Sequence, residues 1–417
     1  MSPDISYAAG GVAILAPSVP LGGVSAEAYC AALAEAVRRA LADPSVNALV
    51  HAITGDLLAD AAGLSQPAGS AALSALIDRI EDAPKPVIAA LVGPAASGGL
   101  ALALACHARV AAADARFGFP EVKLGLMPAG RATQYLPRLV GVENALTLAA
   151  TGNLVGAAEA REMGLVDTVS AGDVVEAACA LAQSAAGSAM RRTRDLAAQQ
   201  AADTVYAAFA SKHARQLRGL DAPKAAIAAV RAAAELPLEQ GLRLEQESQR
   251  ALAGGPQHKA LLHARQAERA AAVAAGMEDV PARTITTTAV IGSGTMGSGI
   301  AIALLSAGLP VTLFERDPAA LERGVAHIGK VLAGNVCAGR MSAEAADAAL
   351  AALAPTTDMA KLASVDLVIE AAYETMAVKQ DIFGALDKVA SPAPFSPATP
   401  PTLILTRLPP RRPGRRT

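Results

Sequence analysis

Tryptophan is absent from the 417 residues, and Phe, Tyr and Trp together make up only 3%. A core without large rings is filled by many small side chains, so the abundant alanine points to close, helix-rich packing. The four cysteines, Cys30, Cys106, Cys179 and Cys337, show no pairwise spacing. That scatter excludes a disulfide or zinc framework and fits reduced thiols in a cytoplasm, with no metal site. Neither sign of charge dominates, with 36 Lys and Arg against 38 Asp and Glu. Nothing is basic enough to hold nucleic acid. Long apolar runs are missing as well: the stretch Leu100 to Ala113 carries His107 and Arg109 and is too short to span a bilayer. The start has no basic n-region, and its apolar stretch is broken by Pro17 and Pro20. What remains is a soluble, cytoplasmic globular protein without membrane insertion, long enough for two or three domains.

The chain that is present falls into blocks. From Val12 to about Ala186, β-like runs (Val12 to Leu15, Ala48 to Ile53, Pro86 to Val92) alternate with helical ones (Ser25 to Ala42, Ala71 to Asp82). Such alternation predicts βαβ units and a mostly parallel sheet. Between about Met190 and Arg283 no strand is convincing, and helically spaced Ala, Arg, Glu and Gln predict helices that bridge two domains. A third block begins near Thr284, with helices expected from Pro318 to about Ala333 and from Ser342 to Leu353, then a buried-type strand at Val365 to Glu370. From Ser391 onward proline is too dense for helix or central sheet, so disorder is expected there. The expected units are therefore 1–189, 190–283, 284–390 and a tail, 391–417.

The third block opens on the most specific motif, Gly292-Ser293-Gly294-Thr295-Met296-Gly297, directly after the apolar run Thr288 to Ile291 and before the helical run Ile300 to Ala307. The first glycine permits a tight turn and the second lets backbone amides approach a pyrophosphate. The third lets helix and strand pack closely, with the phosphates at the positive helix end. A second apolar run, Val311 to Phe314, ends in Glu315, an acid able to accept from a ribose hydroxyl. The acid favours NAD over NADP, since it would repel a 2′-phosphate. A glycine-rich turn in an unrelated α/β sheet is the competing explanation.

In the first block, Gly93 to Ala103 places glycines at a strand-to-helix turn, whose free amides can hold an oxyanion. Downstream, Glu121 stands in the largely apolar stretch Phe119 to Leu126, where a raised pKa would suit a proton shuttle. From the residues alone, an ordinary Glu at a loop end explains it better.

Taken together these segments resemble the enoyl-CoA hydratase/isomerase (crotonase) family in the form fused to a 3-hydroxyacyl-CoA dehydrogenase, the bifunctional enzymes of fatty-acid β-oxidation. The residues that carry the resemblance are Gly98-Gly99-Leu100, Ala105 to Ala111, Phe119 to Met127-Pro128 and Gly164-Leu165-Val166-Asp167. In the bridge they are Gly241-Leu242, Glu245, Gln257, His263 and Ala267-Glu268-Arg269. In the third block they run from Ala289 to Gly297, then Thr356 to Asp358 and Ala363 to Glu374. The combination covers Val12 to Lys388 and is specific, although no single piece is. It implies an α/β protein: a crotonase-like spiral βαβ domain, a helical linker, then an incomplete Rossmann-type doubly wound domain.

The resemblance also implies roles. The oxyanion amides would be Gly98 and, on a loop shorter than the family's, Ala61; Glu121 matches the second of two acid/base glutamates. Where the first should stand, the chain has Ala101. Hydration needs one group to activate water and another to protonate carbon, so hydratase activity should be impaired, whereas a Δ3 to Δ2 shift needs only one carboxylate. Met296, Glu315, Ala372, Tyr373, Glu374 and Lys379 would contact NAD, although Glu374 and Lys379 also read as an exposed pair at a helix start. The family's catalytic His lies beyond residue 417, and His327 does not match it and is expected at the surface. The implied partners are an acyl-CoA thioester as substrate and a second copy or a thiolase subunit.

The tail fits a change of reading frame. Ala393 to Pro401 can be encoded so that a one-base regrouping gives Ala-Ile-Leu-Ala-Ser-Asn-Thr-Ser, the strand and turn with which the family continues. The expectation is that the frame changes near Ser391-Pro392 and that the domain is truncated; a Pro/Arg-rich tail that binds a partner is the rival. A non-catalytic acyl-CoA or NAD binder, or a pseudogene product, is the alternative to an enzyme.

Overall fold

Residue types dictate the first unit from its central strands outward. The computed structural model describes residues 3–16, 25–53, 67–271, 284–337, 340–373 and 375–389, so the expectations for Ala61, Glu374 and the tail 391–417 lie outside the described residues. The chain divides into two compact units, Met1–Gly276 and Met277–Thr417. In the first unit the strands β1 (Asp4–Ala8), β2 (Val12–Ala16), β3 (Ala48–Ile53), β4 (Val87–Leu91), β6 (Ala108–Ala112) and β9 (Thr168–Ser170) form one sheet in the order β1-β2-β3-β4-β6-β9. All neighbours from β2 to β9 pair parallel. All six residues of β3 are buried, as expected of a strand covered on both faces.

The alternating pattern did not reveal β1. It pairs antiparallel with β2 through a turn in which Gly10 and Gly11 take φ 75 and 73, conformations that side chains resist. The helix Ala26–Ala42 begins where the Ser25 hydroxyl accepts from the Ala28 amide, and it buries Tyr29, Leu33, Ala36, Val37 and Ala40 at helical spacing. A second small sheet joins β5 (Ala95–Ala96), β7 (Arg116–Gly118) and β8 (Val155–Gly156) in the order β5-β7-β8. It sits beside the turn that starts the helix Ser97–Ala105, every residue of which is buried.

The helices expected as a bridge pack into this first unit instead. The helix Ala222–Glu235 lies along the helix Ala132–Thr151, and Gln134 donates to the Ala229 carbonyl at 2.9 Å. From the helix Leu238–Gly254, Glu245 accepts from the amides of Arg131 and Thr133, and Gln249 donates to the Pro128 carbonyl at 2.6 Å. His258 of the helix Pro256–Ala271 donates to the Leu124 carbonyl at 2.8 Å. An amphipathic period shows that a helix has an apolar face, but not which body that face covers.

In the second unit β10 (Thr288–Ile291), β11 (Val311–Phe314), β12 (Leu353–Thr356) and β13 (Leu367–Glu370) form a parallel sheet in the order β12-β11-β10-β13. Val290 faces one core, with Ala301, Leu305 and Ile328, while Ala289 and Ile291 face another, with Phe314, Ile382 and Leu386. Alternation along one strand thus feeds two helix layers, which makes the sheet doubly wound. The helix expected to reach Leu353 ends at Ala351, and Leu353-Ala-Pro-Thr356 forms the edge strand β12. Pro355 hides that strand in the sequence, yet proline is tolerated at an edge, where one side needs no donor.

Candidate functional site

The first site grows from the turn between β5 and the helix Ser97–Ala105. The first amides of a helix have no intrahelical partner, and no side chain caps this one. Gly98 therefore presents a backbone N–H from a fully buried position. Ser97, at φ 50, directs its hydroxyl onto Glu121, donating to Oε2 at 2.6 Å. Glu121 lies in the short 3-10 helix Pro120–Leu124 and is 3% exposed. Burial raises its pKa to about 7, against the lowering effect of the Ser97 hydrogen bond. A carboxylate so placed is half charged near neutrality and can both accept and return a proton.

No second carboxylate comes from position 101. Ala101 is fully buried, and a Cβ on Gly130 would lie 2.9 Å from the Ala101 methyl and 2.7 Å from a Leu73 methyl. The space beyond Ala101 is small and apolar. The helices after residue 200 hold the loop behind Glu121. Glu245 accepts from Arg131 N at 2.8 Å, from Thr133 N at 3.0 Å and from the Thr133 hydroxyl, capping the helix Ala132–Thr151 from a distant segment. Burial overrides these donors and raises the Glu245 pKa to about 7 as well.

The second site lies where β10 meets β13, at the carboxyl ends of the strands, which is where the winding of the sheet reverses and open α/β sheets bind ligands. Gly292 takes φ 102, and a Cβ there would approach the Ala371 carbonyl oxygen to 2.8 Å. Gly294 faces open space at the start of the helix Thr295–Ser306, while a Cβ on Gly297 would collide with the Gly292 carbonyl oxygen. The three glycines thus make a turn, an open approach to free amides and a close helix-to-strand contact. Glu315 accepts from the Ser293 amide at 3.1 Å and from the Arg316 amide at 2.8 Å, which fixes its carboxylate beside the turn. A cleft of about 850 Å³ is lined by Gly292, Ser293, Gly294 and Glu315 together with Met296, Ala372 and Tyr373, while Gly297 lies behind it against the Gly292 carbonyl.

Residues 52–222 match the enoyl-CoA hydratase/isomerase family, and residues 287–399 match the NAD-binding domain of 3-hydroxyacyl-CoA dehydrogenase. The peroxisomal bifunctional enzyme of Cavia porcellus is 35% identical over 376 residues, 87% of this chain and 52% of that protein. Its namesake from Danio rerio is 35% identical over 394 residues, covering 92% and 54%. The chain belongs to the family that fuses these two domains. A peroxisomal fatty acid beta-oxidation multifunctional protein of Arabidopsis thaliana is 34% identical over 331 residues, covering 77% of this chain and 46% of that protein. The chain spans about half the length of the curated relatives it matches.

In the hydratase/isomerase domain the structure brings Gly98 and Glu121 into one buried site and adds Ser97, which the sequence pattern alone did not single out. The signal was available: a lone hydroxyl in Ala95-Ala96-Ser97-Gly98-Gly99 at a strand-to-helix turn. In the NAD-binding domain, Gly292, Gly294, Met296, Glu315, Ala372 and Tyr373 share the cleft wall. Lys379 does not join that wall and is not an exposed helix-start residue. It is buried, and its Nζ pairs with Glu370 at 2.5 Å because Glu370 points inward at the end of β13. Glu370 in turn accepts from the Ala372 amide at 2.7 Å, so Lys379 supports the cleft from behind. His327 is exposed and also stands on the cleft wall, with Arg316 and Arg323. Gly324 was missed as well: a Cβ there would meet Ser293 at 2.6 Å, so the helix Pro318–Cys337 packs directly on the turn.

Among the described residues no helix is long and apolar enough to cross a membrane, and no group of three or more His, Cys, Asp or Glu is placed to hold a metal ion.

Proposed function

We propose that this chain acts in fatty-acid β-oxidation on enoyl-CoA thioesters, with Δ3 to Δ2 isomerisation as the reaction of its first domain and NAD as the ligand of its second. The observation that carries the reading is Glu121: one buried carboxylate with a pKa of about 7, beside the oxyanion turn, with alanine at position 101. Glu121 would take a proton from C2 of a bound 3-enoyl-CoA and return it at C4, while the Gly98 amide holds the enolate oxygen. Hydration asks for a second acid/base group, and its loss costs about 10²–10⁴-fold, so hydratase activity is impaired.

In the second domain the turn at Gly292 to Gly297 would hold the pyrophosphate, and Glu315 the ribose hydroxyls. When bound, NAD supplies a hydride acceptor for oxidation of a 3-hydroxyacyl-CoA. The chain's own residues orient it: Lys379 and Glu370 set the strand end, and Gly324 brings the second helix against the turn. Buried, unpaired Cys30, Cys106 and Cys179 fit a reducing setting such as the cytoplasm, while the curated relatives carry the word peroxisomal in their names. The test is spectrophotometric conversion of a 3-enoyl-CoA to its conjugated 2-enoyl isomer by the purified chain. Conversion that exceeds a Glu121→Gln control supports the reading; equal rates end it.

A further inference from the structure

Isomerisation uses Glu121 and an amide, and leaves the Ser97 hydroxyl without a task. Ser97 and Arg131 are the described non-glycine residues with positive φ. Such a conformation costs on the order of 1–3 kcal/mol and survives where the surroundings enforce it. Glycine would fit φ 50 without strain, yet a serine is held there, buried, with its Oγ 2.6 Å from a carboxylate. The chain runs from β5 through this sharp turn into the helix Ser97–Ala105, so the hydroxyl and the next amide, that of Gly98, emerge together at the helix start. A strained strand-to-helix turn with the oxyanion donor on the following residue is how a serine is presented to an acyl group. The hydroxyl already donates to a base, which is the arrangement that activates it.

We propose that Ser97 is a nucleophile toward acyl-CoA thioesters, with Glu121 as its general base and the Gly98 amide as oxyanion donor, so that the first domain also hydrolyses thioesters. The proposal rests on the acyl-CoA reading of this site. Ser97 Oγ attacks the thioester carbonyl carbon while its proton passes to Glu121, and the carbonyl oxygen gains charge against the Gly98 N–H. The C–S bond then breaks, the electron pair leaves with sulfur, and Glu121 gives its proton to the CoA thiolate. Water attacks the acyl-serine ester, Glu121 takes a proton from it, and collapse returns that proton to Ser97 Oγ. The products are a free fatty acid and CoA, and no oxidant or reductant is consumed. A carboxyl with a pKa near 7 is a stronger base than an ordinary glutamate, which suits the first step.

Butanoyl-CoA tests the proposal because, being saturated, it can be neither hydrated nor isomerised. The chain is expected to release CoA thiol from it, measured with a thiol-reactive chromogen, and Ser97→Gly and Glu121→Gln are each expected to lower that rate about 100-fold or more. Ser97→Gly removes the hydroxyl while relaxing the strained φ, so its fold is kept, and a thermal melt checks this. Ser97→Cys is expected to trap an S-butanoyl adduct, located by peptide mass spectrometry at residue 97. Unchanged release in Ser97→Gly, an adduct elsewhere, or no release by the native chain overturns the proposal. The same preparation assayed on a 3-enoyl-CoA separates the two readings. Isomerisation without thiol release removes the hydrolase and leaves the isomerase, whereas thiol release without isomerisation does the reverse.

Discussion

Glu121 in the first unit is 3% exposed, whereas Met296 and Tyr373 on the cleft of the second are 51% and 84% exposed. The two sites use opposite physics. Proton transfer from carbon needs a strong base, and burial supplies one by penalising the charge of Glu121 until its pKa reaches about 7. Dinucleotide binding needs room and oriented amides, and the turn at Gly292 supplies both by leaving out three Cβ atoms. A side chain carries the first site, and backbone carries the second.

That division predicts effects confined to one unit. Glu121→Gln, nearly isosteric, should lower 3-enoyl-CoA conversion by about 10²–10⁴-fold, with NAD affinity by calorimetry unchanged. A matching loss of NAD affinity would break the comparison. Gly297→Ala places a methyl on the Gly292 carbonyl oxygen, and overpacking of this kind costs about 1–3 kcal/mol or more. NAD affinity should fall about 100-fold while enoyl-CoA conversion stays within about twofold, roughly the scatter of a surface change. Glu315→Ala should weaken NAD by about 10-fold, the value of one charge-assisted hydrogen bond, and should narrow the preference for NAD over NADP. Equal discrimination before and after would show that Glu315 serves only to hold the Ser293 and Arg316 amides.

The smallest effect is in pH, and its sign differs between the units. Glu121 and Glu245 keep their protons in the folded chain up to about pH 7 but ionise near 4.5 when unfolded. Their contribution to stability is present below about pH 4.5 and is lost as pH rises toward 7. Asp366 is the opposite case. The amides and hydroxyls of Thr286 and Thr287 hold its carboxyl below the usual range, so its contribution is present above about pH 4 and is lost in acid. From about pH 5 to 8 the melting transition of the first unit should fall by a few degrees, and Glu245→Gln should flatten that slope. A rise over the same range, followed by calorimetry, would reverse the assignment.

Particular residues show how far the sequence could be read. The strand limits of β3 and β11 match the apolar runs residue for residue, and Glu315 and the glycine turn are legible from their immediate neighbours. β12 was missed because Pro355 reads as a breaker, and its tolerance depends on an edge position that only the sheet reveals. Lys379 was expected to contact NAD, with an exposed helix start as the competing reading, and neither foresees its burial because its partner, Glu370, lies nine residues away across a strand end. Ser97 had a local signal in its place at the turn, but its pairing with Glu121, 24 residues on, is visible only in the fold.

The sequence by itself determined what depends on a residue and its near neighbours. The turn that only glycine permits and the alternation that makes a strand are local properties, whereas the alanine at position 101 stands out only against the family resemblance. Tertiary structure decided what depends on burial and on long-range neighbours. It put the helices after residue 200 onto the first unit, raised the Glu121 pKa, and brought a strained serine within reach of that carboxylate. Desolvation and hydrogen bonding act through space, and the order of residues along the chain does not state which distant groups will share that space.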